Sequence, residues 1–121
     1  MNWITILILA AMMVAIILLR RSGTIATAEA AAHLKKGALV IDVRTAGEFN
    51  AGHLPNSINL PLDEIETSLP RRVKDKNQVL LLHCQAGGRS SQARKKLMAL
   101  GYVNAYNMGS YGRAAQIVDG K

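Results

Sequence analysis

"VLLLHCQAGGRSSQARKKLMALG", residues 79–101, decides how this 121-residue chain is read. It opens in "QVLLLH" (78–83), an apolar run without alternation, which is how a strand buried on both faces of a parallel sheet looks. It closes in "SSQARKKLMALG", a helical stretch with Leu97, Met98 and Leu100 apolar and Gly101 past its end. Between the two lies the only cysteine of the chain, Cys84, followed by Gln85, Ala86, Gly87, Gly88 and Arg89. Ligand sites of open α/β sheets form beyond the carboxyl ends of the strands, so the thiol stands where such a fold does its chemistry.

Outward from there, the rest of the chain alternates strand and helix signals. "TAEAAAHLKKG" predicts a helix with Thr27 as N-cap, basic residues at its end and Gly37 as its stop. "ALVIDV" (38–43) is a second buried strand, "SINLP" a weaker one ended by Pro61, and "VNAYNM" a last one. "LDEIETSL" is a short helix with Leu62, Ile65 and Leu69 on one face, closed by Pro70. Alternation of this kind implies right-handed crossovers and an α/β fold, a parallel sheet flanked by helices on both faces.

The loop after Cys84 is suited to negative charge. Gly87 and Gly88 can both take φ > 0, so successive N–H groups can turn inward as an anion-binding nest. The following helix N-terminus adds free donors and partial positive charge, and Arg89 supplies a full one. Such surroundings lower a thiol pKa from about 8.5 to roughly 3.5–7.5, and the thiolate is the nucleophilic form. Taken alone, a lone cysteine is more often a small buried hydrophobe; its strand-loop-helix setting is what favours covalent catalysis at Cys84, with Gln85 to Arg89 binding the substrate.

Two segments, "HCQAGGRSS" (83–91) and "IDVRTAGEFNAGHLPNSINLP" (41–61), resemble the single-domain rhodaneses. The first looks like their C-x-x-G-x-R-S active loop, the second like their D-V-R…E-F…G-H-L-P…N-L-P pattern, and the likeness spans roughly 24–109. It implies a sulfurtransferase with no cofactor, in which the loop cysteine takes a sulfane sulfur from a small anion such as thiosulfate and passes it to cyanide or a cellular thiol. By position Cys84 is the persulfide carrier and Arg89 the anion-binding charge. Asp42 and Arg44 fall at a possible pocket rim, though Arg44 also reads as an ion-pair partner of Glu48. His53 reads as holding the Pro55 turn, and His83 as turned away from Cys84 by strand alternation. The chain departs from the family after its last strand, where Gly109-Ser110 replaces a Gly-Gly pair and no tryptophan follows, so the tail is expected to pack less well.

Two other functions remain open at this point. The cell-cycle dual-specificity phosphatases share the implied fold but have five residues between cysteine and arginine, where this chain has four, Gln85 to Gly88. No aspartic general acid for an alcohol leaving group is evident either. A non-catalytic sulfur relay or interaction module is the other reading, and the intact cysteine loop argues against an inert one.

Residues 3–19, "WITILILAAMMVAIILL", carry no charge, proline or glycine, and Arg20–Arg21 follow. This predicts a membrane anchor with its basic stop (1–21), a tether (22–26) and the catalytic domain (27–121), placed on the cytoplasmic side by the positive-inside rule. The net charge of +7 lies at or beyond Arg20, in pairs such as Lys35–Lys36 and Arg71–Arg72 that suit solvated faces or anionic lipid. With 4 % aromatic residues and no stacking motif, nucleic acid is not expected as a partner. One cysteine and three scattered histidines give no ligand spacing, so no metal is expected.

Overall fold

Four short apolar runs pair side by side because each must bury both of its faces. They are β1 (Leu39–Asp42), β2 (Ile58–Asn59), β3 (Leu80–His83) and β4 (Ala105–Gly109), all parallel, in the order β2-β1-β3-β4. The computed structural model describes residues 2–21 and 23–119. Its helices are α1 (Trp3–Arg21), α2 (Thr27–Lys35), α3 (Ala46–Ala51), α4 (Ile65–Arg72), α5 (Gly88–Ala99) and α6 (Tyr111–Asp119).

Side chains alternate along β3 and divide the core in two. Leu80, Leu82 and Cys84 face Ile65 and Leu69 of α4 and Ala93 and Leu97 of α5. Leu81 faces the other way, with Val40, Met108, Ala30 of α2, and Ala114 and Ile117 of α6. Burying a side chain of this size contributes about 1.5–3 kcal/mol, so two such layers hold the sheet from both sides. At its carboxyl edge β3 meets β4 through a bulge, where Leu82 pairs with Asn107 but His83 with Gly109.

Several expectations are corrected. Thr27 does not cap α2; the N-cap is Ala26, with no side-chain bond. Pro70 does not close its helix but lies inside α4, which starts only at Ile65 after a 3-10 turn at Leu62–Glu64. The full burial of Ile65 and Leu69 holds that helix in place, and it ends where Val73 N–H donates to the Leu69 carbonyl at 2.7 Å. The stretch read as a tether is pinned at Thr24 and Ile25. Thr24 bridges to Asn107, Ile25 N–H donates to the Asn107 carbonyl at 2.9 Å, and the Arg113 guanidinium donates to the Ile25 carbonyl. The tail forms α6 without a tryptophan, burying Ala114 and Ile117.

The expected membrane-crossing helix is not supported. α1 forms and leaves Trp3, Leu7, Met13 and Ile17 exposed, but among the described residues no helix is long and apolar enough to cross a membrane. At about 1.5 Å per residue the uncharged run measures about 25 Å, short of a hydrocarbon core of about 30 Å.

Candidate active site

The carboxyl ends of β1, β3 and β4 converge on the loop of residues 84–88, which wraps the Cys84 sulfur in donors. Gly87 takes φ +102°, and its N–H reaches Sγ at 2.9 Å. A Cβ at this glycine would lie 3.4 Å from the Gly109 backbone, an ordinary contact, so it is the left-handed torsion that disfavours a side chain here. Gly88 differs from expectation. It is helical, the first residue of α5, and a Cβ added there would point into open space. One glycine, not two, makes the left-handed turn.

Ser90, in the first turn of α5, is fully buried and places its Oγ 3.5 Å from Sγ. Burial pushes the Cys84 thiol up, but the Ser90 hydroxyl and the N–H groups of Ser90, Gly87 and Ala86 outweigh it, and the net direction is below the ordinary thiol value. The arrangement favours thiolate. Cys84 is nonetheless only 1 % exposed, so the sulfur lies beneath the loop rather than on it.

The two arginines take partners other than those expected. Arg89 forms a bidentate pair with Glu48 of α3, Nη1 to Oε1 at 2.6 Å and Nη2 to Oε2 at 3.0 Å, which holds its guanidinium more firmly protonated than usual. Arg44 therefore does not pair with Glu48. Its Nε and Nη2 donate to the Asp42 carboxylate, Nη2 also donates to the Gly52 carbonyl at 2.8 Å, and its guanidinium stacks 4.7 Å from the Tyr111 ring centre. Asp42 is fully buried and holds Arg44 from within, so it does not stand at a rim. Arg44, though only 5 % exposed, lines a shallow depression beside the loop with Glu48, Ala51, Gly52, Gln85 and Tyr111. Gln85 accepts weakly from Arg44 Nη1 at 3.4 Å, and Ala86 bridges to Ser110.

His83 is fully buried on the face opposite Cys84 and edge-on to Tyr111. Its Nε2 has no hydrogen-bond partner and burial lowers its pKa, so the Asp42 carboxylate at 3.8 Å faces a neutral ring. His53 is exposed, stacks on Phe49 and bonds the Phe49 carbonyl through Nδ1 at 2.9 Å.

Sequence reasoning missed the roles of Ser90, Asn107 and Tyr111, and the partner of Arg89. A signal existed for the last of these. "TAGE" (45–48) has the spacing of a capping box, and Thr45 and Glu48 do form one, which fixes Glu48 at the first turn of α3. Nothing in the local pattern marks Asn107, a polar residue near the end of an apolar strand.

The chain is similar to known proteins over this same region. A family model described as a rhodanese-like domain matches residues 26–112. The thiosulfate sulfurtransferase PspE of Escherichia coli (strain K12) is 36 % identical over 69 residues, covering 57 % of this chain and 66 % of that protein. A sulfurtransferase of Allochromatium vinosum is 34 % identical over 70 residues, covering 58 % of this chain and 64 % of that protein. The chain thus spans just under two thirds of these relatives. Among solved structures, a rhodanese with anions from E. coli matches with TM-score 0.61 at 32 % identity, over 64 % of this chain and 91 % of that one. A human single-domain sulfurtransferase matches with TM-score 0.66 at 28 % identity, over 78 % and 96 %.

Proposed function

The chain belongs to the rhodanese-like domain family, and from that premise we propose that Cys84 carries sulfur from a sulfane donor to a thiophilic acceptor. The Cys84 thiolate attacks the outer sulfur of a thiosulfate-like anion. A new S–S bond forms to Sγ, the donor's S–S bond breaks, and sulfite leaves with the bonding pair. An acceptor, cyanide or a thiolate, then attacks the outer sulfur of the persulfide, and Cys84 leaves as thiolate. The N–H groups of Ala86, Gly87 and Ser90 stabilise the sulfur anion at both stages. The observation that carries this reading is the donor set on Sγ, above all the Gly87 N–H at 2.9 Å.

Arg89 is proposed to add positive charge at the mouth of the loop while held by Glu48, with direct contact to the donor anion through N–H groups that the pair leaves free. The test is thiosulfate:cyanide turnover by the full chain beside Cys84→Ala, together with the mass of the chain after exposure to thiosulfate. Turnover and the gain of one sulfur atom on Cys84 are expected, and neither in the variant. Release of phosphate from an aryl phosphate without sulfur transfer would point to the phosphatase chemistry instead.

The 1 % exposure of Cys84 favours a second reading, an interaction module whose thiol stays closed. An unmodified Cys84 after thiosulfate would select it.

Localisation is a separate proposal: that α1 holds the chain at a membrane, with the domain on the cytoplasmic side. Its support is the exposed apolar surface of α1, together with the basic pair Arg20–Arg21. The expected outcome is sedimentation with membranes that resists high salt and yields to detergent. Recovery in the soluble fraction would remove it.

A further inference from the structure

The Ser90 hydroxyl has one proton and three acceptors within reach. Asn107 Oδ1 is at 2.7 Å, the Gly87 carbonyl at 3.0 Å and Cys84 Sγ at 3.5 Å. The shortest distance goes to Asn107, a β4 residue only 3 % exposed whose side chain reaches under the loop. Oδ1 also accepts the Gly109 N–H at 2.8 Å, so its two acceptor sites are both filled. The Gly87 carbonyl already accepts from Ser91 N–H at 3.1 Å within α5. If the Ser90 proton turns to the sulfur, Oδ1 keeps the Gly109 bond and no buried acceptor is stranded, which makes the rotation inexpensive.

We infer that Asn107 is a positioning residue for Cys84: its Oδ1 holds the single Ser90 proton while Sγ is neutral and yields it when Sγ carries charge. The inference rests on the sulfur-transfer reading and gives it a timing. In the persulfide, Sγ is a neutral bridging atom and the Ser90 hydroxyl donates to Asn107 Oδ1. As an acceptor thiolate attacks the outer sulfur, the Sγ–S bond breaks, Sγ takes the electron pair, and the Ser90 hydroxyl rotates to donate to it. The proton stays on Ser90 throughout.

The test uses the full chain and needs no sulfur donor, because the rate of Cys84 alkylation by iodoacetamide against pH reports the thiolate fraction. The charged and titratable groups around the thiol are Arg89 with Glu48, Arg44 with Asp42, and buried His83 on the opposite face, and they are common to every variant. Ser90→Ala is expected to raise the midpoint by about one pH unit, roughly a tenfold slower reaction below it. Asn107→Leu removes the competing acceptor and is expected to lower the midpoint by about half a unit, roughly threefold faster. The double variant is expected to match Ser90→Ala. An unmoved midpoint in Ser90→Ala overturns the inference whether or not Asn107→Leu folds. So does an Asn107→Leu shift that persists undiminished without Ser90, since Asn107 would then act through the loop backbone alone. The expected shifts in a chain that transfers no sulfur would sink the reaction and leave the proton's placement standing.

Discussion

Glu48 serves two neighbours at once, closing the capping box with Thr45 and gripping Arg89 with both oxygens. Arg89 first, then the Thr45 backbone N–H, lower its carboxyl from an ordinary value of 4.5 to about 2. A depressed carboxyl contributes stability that is complete above its unfolded value and is lost as pH falls toward the folded one. The melting-temperature gap between the wild type and Glu48→Gln is therefore expected near pH 6 and should close between about pH 4.5 and 2; a gap independent of pH would rule out this pairing. His83 has the same sense for a different reason. Burial lowers its pKa, so below its usual 6.5 the unfolded chain takes up a proton that the folded one refuses, and stability falls. Below pH 6.5 the decline should be shallower in His83→Gln, whatever that variant costs at neutral pH, as read by denaturant titrations across pH. At this scale the sequence revealed orientation better than partnership. Alternation along "LLLHC" puts His83 and Cys84 on opposite faces, and they are. Arg89 took Glu48, a partner that depends on where α3 docks against α5, which spacing along the chain does not encode, whereas Arg44 took Asp42, only two residues before it.

The loop and α5 form one element with a divided glycine pair. Gly87 sits at φ +102° against the Gly109 backbone, and Gly88 is an ordinary helical position in open space. Gly87→Ala is expected to destabilise the fold by about 1–2 kcal/mol through the left-handed torsion and to slow alkylation by displacing the N–H that reaches Sγ. Gly88→Ala is expected to leave both intact or to stabilise α5 slightly, since alanine is the better helix former. Thermal unfolding of the pair separates the two glycines, and equal losses would contradict the assigned geometry. The buried strands were legible because a two-faced apolar run has few alternatives. α3 was not, because "AGEFNA" buries none of its residues and has no apolar stripe to read; its capping box was the one local mark.

Across the whole molecule, parallel order and helices on both faces follow from the alternation of segments, and the sheet has that arrangement. The segment before α2 is where composition misled, since "SGT" suggests a loose linker but Thr24 and Ile25 lie along β4. Ile25 is 6 % exposed, and its replacement by alanine is expected to cost about 2–5 kcal/mol in denaturant unfolding. A surface-like cost would mean that this segment is not seated on the sheet. The roof over Cys84 has a consequence of its own. With the sulfur almost wholly covered, girth decides which molecules arrive before reactivity is consulted, so a slender methylating agent should outpace a bulky maleimide by far more than on a free thiol. The same shelter spares the sulfur from large oxidants, and whatever reactivity the loop lends it stays unspent until a narrow visitor comes.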